Sequence, residues 1–181
     1  NNSYTSETVV RNGILSLSGS GQISSSEAVQ VLAAGVFDIS QTSTGAIIKD
    51  LLGSGSVTLG NQFLTINSAD RAFSGNISGV GGINLTGGVL TLSGANAYTG
   101  ITTIGSSASL ALSGGGQIAQ SEAVSIDESG EFDISNTSRG TSIINLIGSG
   151  NVGLGNQALT ITAANGAYAG TIEGTGSLTM S

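Results

Sequence analysis

The sequence GVGGINLTGGVLTLSGANAYTGITTI, residues 79–104, decides how we expect this chain to fold. Two short apolar alternations, at residues 83–85 and 90–92, are separated by a Gly-Gly pair and followed by a polar corner at residues 93–100. A Thr/Ile strand restarts after that corner. Strands this short cannot bury a face alone, so each must stack on a neighbouring copy of itself. The stretch therefore predicts a repeating β architecture.

The composition favours an ordered β structure over a disordered linker. The chain of 181 residues contains 30 glycines and only 8% charged residues, a mixture that flexible linkers share. Ile, Val, Leu and Thr recur throughout, however, whereas disordered segments are poor in β-branched residues. No proline and no long polar spacer divides the chain. We therefore expect residues 1–181 to form one unit.

Charge and cysteine content exclude several classes of protein. The net charge is −7, and the four basic residues lie far apart in sequence, whereas nucleic-acid binders need clustered Lys and Arg. We therefore expect no nucleic-acid partner. The absence of cysteine excludes disulfides and thiolate metal sites.

No long apolar run occurs, so we expect no direct membrane insertion of this fragment. Any export signal would already have been removed.

Two copies of one long unit account for most of the chain. Residues 16–86 align without a gap on residues 111–181, and roughly half of the paired positions are identical. Residues 4–10, YTSETVV, also match residues 98–104, YTGITTI, with a shift of one residue. The clearest matches between the units are LSGSGQI with LSGGGQI, SEAV with SEAV, FDIS with FDIS, and LGNQFLTI with LGNQALTI. Such a duplication indicates a regular structure.

A shorter rhythm inside each unit predicts a parallel β-solenoid. Apolar alternations recur every 20 to 27 residues or so, roughly what one turn of three short strands and their corners requires. Each unit would then contain about four coils, and the chain roughly seven or eight. A β-sandwich is the alternative, but its hairpins every 8 to 12 residues or so require no repeat in the twenties. The alternations lie at Leu15/Leu17, Phe37/Ile39, Leu64/Ile66, Leu90/Leu92 and Leu110/Leu112.

Alternation along the strands also predicts which side chains face the core. Phe37 and Phe132 are expected to stack inside the solenoid, and the aspartate after each of them is expected to point outward. Tyr4 and Tyr98 occupy polar corners, and we expect them to reach solvent. Because solenoids need caps at their ends, we expect flanking coils of a longer parent protein to cover them, and some self-association through the ends of the isolated chain.

The spine G-x-L-T-L-S-G-x-N-x-Y-T-G-x-T-T-I at residues 88–104 resembles the passenger-associated transport repeat of bacterial autotransporters, the proteins of type V secretion. The motif is fairly specific because it fixes Gly, Asn, Tyr and Thr at set spacings. It departs from the common pattern at Ile101, where Gly is usual. Only this central stretch matches closely.

The resemblance implies a right-handed parallel β-helix that is secreted or displayed on the bacterial outer-membrane surface. The chain would be a passenger fragment, and its parent would carry a signal peptide and a translocating β-barrel. On this basis we expect a non-catalytic, virulence-associated, adhesin-like protein. Its partner would be a host cell-surface protein or an extracellular matrix component.

Residues for catalysis are hard to find in this sequence. The chain has no histidine, which excludes a Ser-His-Asp triad and the usual zinc sites. No G-x-S-x-G elbow occurs, and nothing around Lys49, the single lysine, selects one serine as a nucleophile. We therefore expect no catalytic, cofactor-binding or metal site and no cofactor.

An acidic run in the second unit is the best candidate for an interaction surface. It comprises Asp127, Glu128, Glu131 and Asp133, with Arg139 six residues on. Carboxylates at this density suit calcium binding or acid–base chemistry on a polysaccharide, but no calcium-binding nonapeptide is present. A solvated corner that also discourages end-to-end association explains the run more simply than a ligand site does, because the first unit does not repeat the run. In the first unit the matching residues are Leu32, Ala33, Val36 and Asp38.

Three functions from different classes therefore remain open at the level of sequence. The first is the adhesin-like interaction protein described above. The second is a released effector that acts as a ligand of a host receptor controlling growth or motility. The third is a carbohydrate-active β-helix enzyme, which requires two carboxylates from different coils to converge.

Overall fold

Every named strand in this protein pairs in parallel with a strand one turn away along a common axis. The computed structural model describes residues 2–181, which contain 21 strands and no helix. The chain is all-β and forms a right-handed parallel β-helix of about nine turns, so the predicted fold class is confirmed. Without a helix, residues 2–181 offer none with the length and hydropathy needed to cross a membrane.

The chain winds around three faces, each built from parallel strands. Face 1 contains the first halves of β1 (Thr8–Gly19) and β2 (Val29–Thr42), then β4 (Leu51–Gly53), β7 (Ala72–Phe73), β10 (Gly88–Leu92), β13 (Ala108–Gly114), β15 (Glu131–Thr137), β18 (Asn151–Gly155) and β20 (Thr171–Gly174). Face 2 contains the second halves of β1 and β2, then β5 (Ser56–Gly60), β8 (Asn76–Gly79), β11 (Ala97–Tyr98), β16 (Thr141–Ile143), β19 (Ala158–Ile161) and β21 (Ser177–Met180). Face 3 contains β3 (Ala46–Ile48), β6 (Leu64–Ile66), β9 (Ile83–Leu85), β12 (Thr102–Ile104), β14 (Val124–Ile126) and β17 (Leu146–Gly148).

The turns are shorter than the upper part of the predicted range. The ladders pair Leu90 with Leu110 and Leu110 with Phe132, so these turns take 20 and 22 residues. Shorter turns fit more coils into the same length. The chain consequently makes about nine turns, a little more than the seven or eight predicted.

Stacked rows of apolar side chains form the core. On face 3 the inward row runs through Ile48, Ile66, Leu85, Ile104 and Ile126, each paired with the next and fully buried. Successive side chains on a strand alternate between the two sides of the sheet, so every second residue enters this row. The predicted inward positions are confirmed, because Leu90/Leu92 and the two phenylalanines before the FDIS aspartates are buried.

Polar groups at the corners are satisfied from neighbouring turns. The buried side chain of Asn96 accepts the N–H of Ile77 at 3.1 Å and donates to the carbonyls of Gly94 and Gln117, both at 3.1 Å. Gly88 has φ +80, and a Cβ at this position would overlap the carbonyl oxygen of Ala69 in the turn before. Asn96 and Gly88 both belong to residues 79–104, and they show how corner residues of this stretch allow successive turns to stack closely.

The duplicated unit is not a whole number of turns. Val29 lies on face 1, whereas Val124 at the matching position lies on face 3; likewise Leu64 on face 3 matches Leu159 on face 2. Because the chain visits faces 1, 2 and 3 in order, the unit ends one face short of five turns. The prediction of four coils per unit is therefore wrong. Matching side chains in the two units look out from different faces.

Candidate interaction surface

Asp127 and Glu128 lie in the turn that joins β14 on face 3 to β15 on face 1. The N–H of Gly130 donates to the carbonyl oxygen of Asp127 at 2.9 Å and closes this turn. Ser129 has φ 68, the positive-φ conformation that the described part of the chain otherwise reserves for glycine. The turn thus holds both carboxylates outside the core, where they are exposed.

Glu131 and Asp133 continue the negative charge along β15. They flank Phe132, which is fully buried, so alternation turns both carboxylates outward. Asp133 Oδ1 accepts the N–H of Ser135 at 2.8 Å, and Glu131 Oε2 accepts the hydroxyl of Ser109 at 3.3 Å. These bonds fix the direction of the carboxylates on face 1.

Glu173 joins this group from a later turn. The ladders pair Asp133 with Gly153 and Gly153 with Glu173, so the two acidic residues lie in one column, two strand spacings or about 10 Å apart. Gly153 places no side chain between them. A depression is left there, lined also by Glu131 and Gly155. We call Asp127, Glu128, Glu131, Asp133 and Glu173 the acidic ridge.

Arg139 lies apart from the acidic ridge. It follows β15 in the turn to β16, where Ser138 donates its N–H to the carbonyl of Gly114 at 2.8 Å. It lines a depression together with Gly115 and Gln117 of the preceding turn. No carboxylate within residues 2–181 forms an ion pair with Arg139. The structure therefore places Asp127 and Glu128 in the turn before β15 and lines one depression with Glu131, Asp133 and Glu173. Arg139 lies at a different depression.

The charge of the acidic ridge is not neutralised by the rest of the described chain. All three ion pairs found between residues 2 and 181 involve Arg71, which lies in the first unit. In the same range, no group of three or more Asp, Glu, His or Cys residues is arranged to hold a metal ion. The ridge therefore gives face 1 an uncompensated negative potential.

Arg71 is the centre of a second charged cluster, the arginine clamp, which sequence reasoning missed. Its guanidinium lies 3.4 Å from Glu7 Oε1, 3.9 Å from Glu27 Oε1 and 3.5 Å from Asp50 Oδ2. Asp50 is the buried partner, and its other oxygen accepts the N–H of Leu51 at 2.9 Å. The clamp ties four successive turns together. These partners are remote in sequence, and only the stacking of the turns makes them neighbours.

The second unit replaces two members of the arginine clamp by neutral residues. Asn145 matches Asp50, and Gly166 matches Arg71. The amide Nδ2 of Asn145 donates to Asn165 Oδ1 at 2.8 Å, so an amide pair bridges the turns there. The clamp thus belongs to the first unit and the acidic ridge to the second, although both units share one core pattern.

Tyr98 is buried, and the prediction that it reaches solvent is wrong. Only 1% of its surface is exposed, because turns on both sides cover it. Its hydroxyl contacts Thr102 Oγ1, which lies 2.9 Å from Ser121 Oγ. Burial raises the pKa of the Tyr98 hydroxyl well above its usual value. Tyr4 is 43% exposed, as predicted, because it lies at the open side of the first turn.

Comparison with known proteins adds nothing to this description. No family model, curated protein or solved structure matches the chain.

Proposed function

We propose that this chain is part of a secreted or surface-displayed bacterial autotransporter passenger. In this role it is a non-catalytic, virulence-associated interaction protein that binds host cells or host molecules in the manner of an adhesin. The resemblance of residues 88–104 to the passenger-associated transport repeat supports the origin. The right-handed β-helix is the fold expected of such a passenger.

The acidic ridge is the observation that carries the proposed activity. It presents five carboxylates on or beside face 1 of a rigid support, with no counter-ion from the described residues. The first unit has the same core but lacks the ridge: Ser78 stands where Glu173 is, and Leu32 where Asp127 is. Because the first unit forms the same core without the ridge, folding does not require these carboxylates, and they are available to a partner.

The charge of the ridge defines the partner chemically. A negative patch on face 1 is complementary to a basic surface, so we propose a positively charged region of a host cell-surface protein or matrix component. Exposed charges of this kind act mainly on the rate of association and are screened by salt. Binding is therefore expected to weaken as ionic strength rises.

The test measures saturable binding of the labelled chain to cultured human epithelial and endothelial cells. The variant D127N/E128Q/E131Q/D133N/E173Q removes the ridge charge and should weaken binding about tenfold or more. Asp38→Asn is the matched control, because Asp38 occupies the same FDIS position as Asp133 but looks out from face 2. Equal binding by the ridge variant and the wild-type chain would reject the ridge as the binding surface.

Receptor phosphorylation, measured in the same wells, distinguishes a released receptor ligand from an adhesin. Saturable binding with phosphorylation would favour a released effector that acts as a receptor ligand in growth or motility signalling. Saturable binding without phosphorylation would favour an adhesin. Absence of binding to either cell type would contradict both.

A carbohydrate-active enzyme is a second candidate, favoured by the column that Asp133 and Glu173 share. Two carboxylates from different turns flank the depression above Gly153, which is the convergence that acid–base chemistry on a polysaccharide requires. The test compares polysaccharide turnover by the wild-type chain, Asp133→Asn and Glu173→Gln. Turnover that is absent, or unchanged in both variants, removes this candidate.

A further inference from the structure

The depression beside Arg139 lies at the corner of the β-helix that follows β13 and β15. Gly115 and Gln117 line it from one turn, Arg139 and Gly140 line it from the next, and its volume is about 240 Å³. Neighbouring turns continue the helix on both sides of this corner: Gln117 pairs with Ala95 in the turn before, and β16 pairs with β19 in the turn after. The walls of the depression therefore come from the middle of the described chain.

A glutamine side chain closes the matching corner of the first unit. Gln22 Nε2 donates to the carbonyl oxygen of Gly45 at 3.0 Å, and Gln22 Oε1 accepts the N–H of Ile47 at 3.0 Å. Gly45 and Ile47 belong to the turn that follows Gln22. Both ends of the amide are thus used to join two successive turns.

The second unit keeps this glutamine but not its bonds. Gln117 matches Gln22, is exposed, and forms no side-chain hydrogen bond with residues 2–181. In the same range, the N–H of Ser142, which matches Ile47, has no side-chain acceptor, and the carbonyl of Gly140 has no side-chain donor. The amide of Gln117 is therefore available to a ligand.

Two other replacements give the corner open space and positive charge. Gly115 stands where the first unit has Ser20, and a Cβ at Gly115 would meet nothing within 4 Å. Arg139 stands where the first unit has Thr44, and it forms no ion pair in the described part of the chain. The second unit thus combines an unpaired cation with an unbonded amide at one depression.

The chemistry of the depression indicates the class of ligand that fits it. A guanidinium presents a planar fork of N–H donors that matches a carboxylate. The Gln117 amide offers a donor and an acceptor suited to hydroxyl groups, and all the residues that line the depression are glycine or polar. Pockets for drug-sized ligands begin at roughly 300 Å³, so this smaller volume suits a single sugar ring.

We infer that this depression, which we call the Arg139 corner, binds the carboxylate of an acidic sugar unit. Arg139 holds the carboxylate, and the Gln117 amide bonds hydroxyl groups of the ring. An acidic peptide presents the same carboxylate, but its neighbouring side chains would find no apolar contact here. The Arg139 corner is separate from the acidic ridge and takes ligands of the opposite charge, so it adds an independent contact to the proposed interaction.

The first test titrates the isotope-labelled chain with methyl glucuronide at neutral pH and follows the amide signals by NMR. The signals of Gly115, Arg139 and Gly140 should shift and saturate, with a dissociation constant of about 1 to 10 mM. Methyl glucoside carries a hydroxymethyl group in place of the carboxylate, and acetate lacks the ring. Each should bind about tenfold or more weakly than methyl glucuronide. Equal binding of either probe, or no saturable shift with methyl glucuronide, would overturn the inference.

The second test compares variants in the same titration, where the dispersed amide signals also show that each variant is folded. Arg139→Gln should weaken binding of methyl glucuronide about tenfold or more, because the charge-assisted hydrogen bonds are lost. Arg11→Gln is the matched control, since Arg11 is also exposed and has no ion pair among residues 2–181 but lies outside the depression. Gly115→Leu keeps the charge and fills the open space, so it should weaken binding by a similar factor.

Three results of these titrations would reject the Arg139 corner as a site for acidic sugars. The first is equal binding by Arg139→Gln and Arg11→Gln, and the second is wild-type binding by Gly115→Leu. The third is tighter binding of the peptide acetyl-Ala-Glu-Ala-amide than of methyl glucuronide, which would assign the depression to an acidic protein segment.

Discussion

The hydroxyl oxygens of Tyr98 and Thr102 lie 2.7 Å apart inside the β-helix, and the contact recurs at 2.7 Å between Tyr4 and Thr8 in the first turn. The sequence spacing and the bonding are the same, but the surroundings differ: Tyr98 is enclosed and Tyr4 is half open to solvent. Comparing the Tyr98–Thr102 contact with the Tyr4–Thr8 contact therefore separates the effect of burial on stability from the effect of the hydrogen bond.

Tyr98→Phe should lower the free energy of unfolding by about 1 kcal/mol, because the buried hydroxyl pair loses one partner. Tyr4→Phe removes the same contact where water can replace it and should change stability by about 0.5 kcal/mol or less. Urea unfolding of both variants measures the difference. Equal effects would show that burial does not strengthen this contact.

Tyr98 also predicts a loss of stability in alkali. Burial raises its pKa in the folded chain, whereas the unfolded chain ionises near the ordinary value of 10.0. Below that value both states keep the proton and the stabilisation is complete. Above it the unfolded state loses a proton that the folded state keeps, so the free energy of unfolding falls by about 1.4 kcal/mol per pH unit.

Urea unfolding from about pH 9 to about pH 11 measures this slope. Tyr98→Phe should reduce it. Tyr168, whose pKa partial burial also raises, contributes in the same direction and remains in that variant. A slope that Tyr98→Phe leaves unchanged would contradict the assignment to Tyr98.

Leu92→Asp should cost several kcal/mol, because it places a charge without a basic partner in the core. Leu92 is fully buried between Phe73 and Leu112. Thr91→Asp is the matched control, since the neighbouring side chain points outward and an aspartate there stays hydrated. Thermal unfolding followed by circular dichroism compares the two; a Leu92→Asp chain that melts with the wild type would show that this row is not core.

Gly88→Ala should destabilise the chain by about 1 to 3 kcal/mol, because the new Cβ meets the carbonyl of Ala69 at a positive φ. Gly115 provides the control: a Cβ there has open space within 4 Å and its φ is not in the left-handed region. Gly115→Ala should therefore be close to neutral. Chemical unfolding of both variants distinguishes them, and equal midpoints would refute the close approach of these turns.

Arg71→Gln should destabilise the first unit by about 1 kcal/mol, since the clamp loses its cation and the buried Asp50 keeps only its backbone partners. The guanidinium is 41% exposed, so water compensates part of the loss. Arg139→Gln, which breaks no ion pair among the described residues, serves as the reference in urea unfolding. If both substitutions cost the same, the clamp does not stabilise the fold.

The fold class and the inward rows could be predicted from the sequence because alternation is a local signal. Leu90 and Leu92 alternate with Val89 and Thr91, and this pattern alone decides which side chains are buried. Turn length is not a local signal, because the number of corner residues, such as Ser93 and Gly94, can change without changing the alternation in the strands. The number of coils, and the shift of one face between matching positions of the two units, could therefore be determined only from the structure.

The candidate site could be predicted only in part for the same reason. Asp133 lies close in sequence to Asp127, whereas Glu173 reaches the column of Asp133 only because two turns of suitable length bring it there. Arg139 is close in sequence but follows a strand that carries it to the next corner. The prediction for Tyr98 was wrong because a polar corner sequence indicates exposure, whereas in the structure the turns on both sides enclose the tyrosine.

The duplicated unit, which ends one face short of five turns, also determines how the protein presents repeated groups. In a longer array of such units, equivalent side chains would shift by one face from each unit to the next. A given side chain would return to the same face only after three units. Asp38 and Asp133 illustrate the first step of this shift. Two partners that recognise the same motif in neighbouring units would therefore approach from different directions and would not obstruct each other.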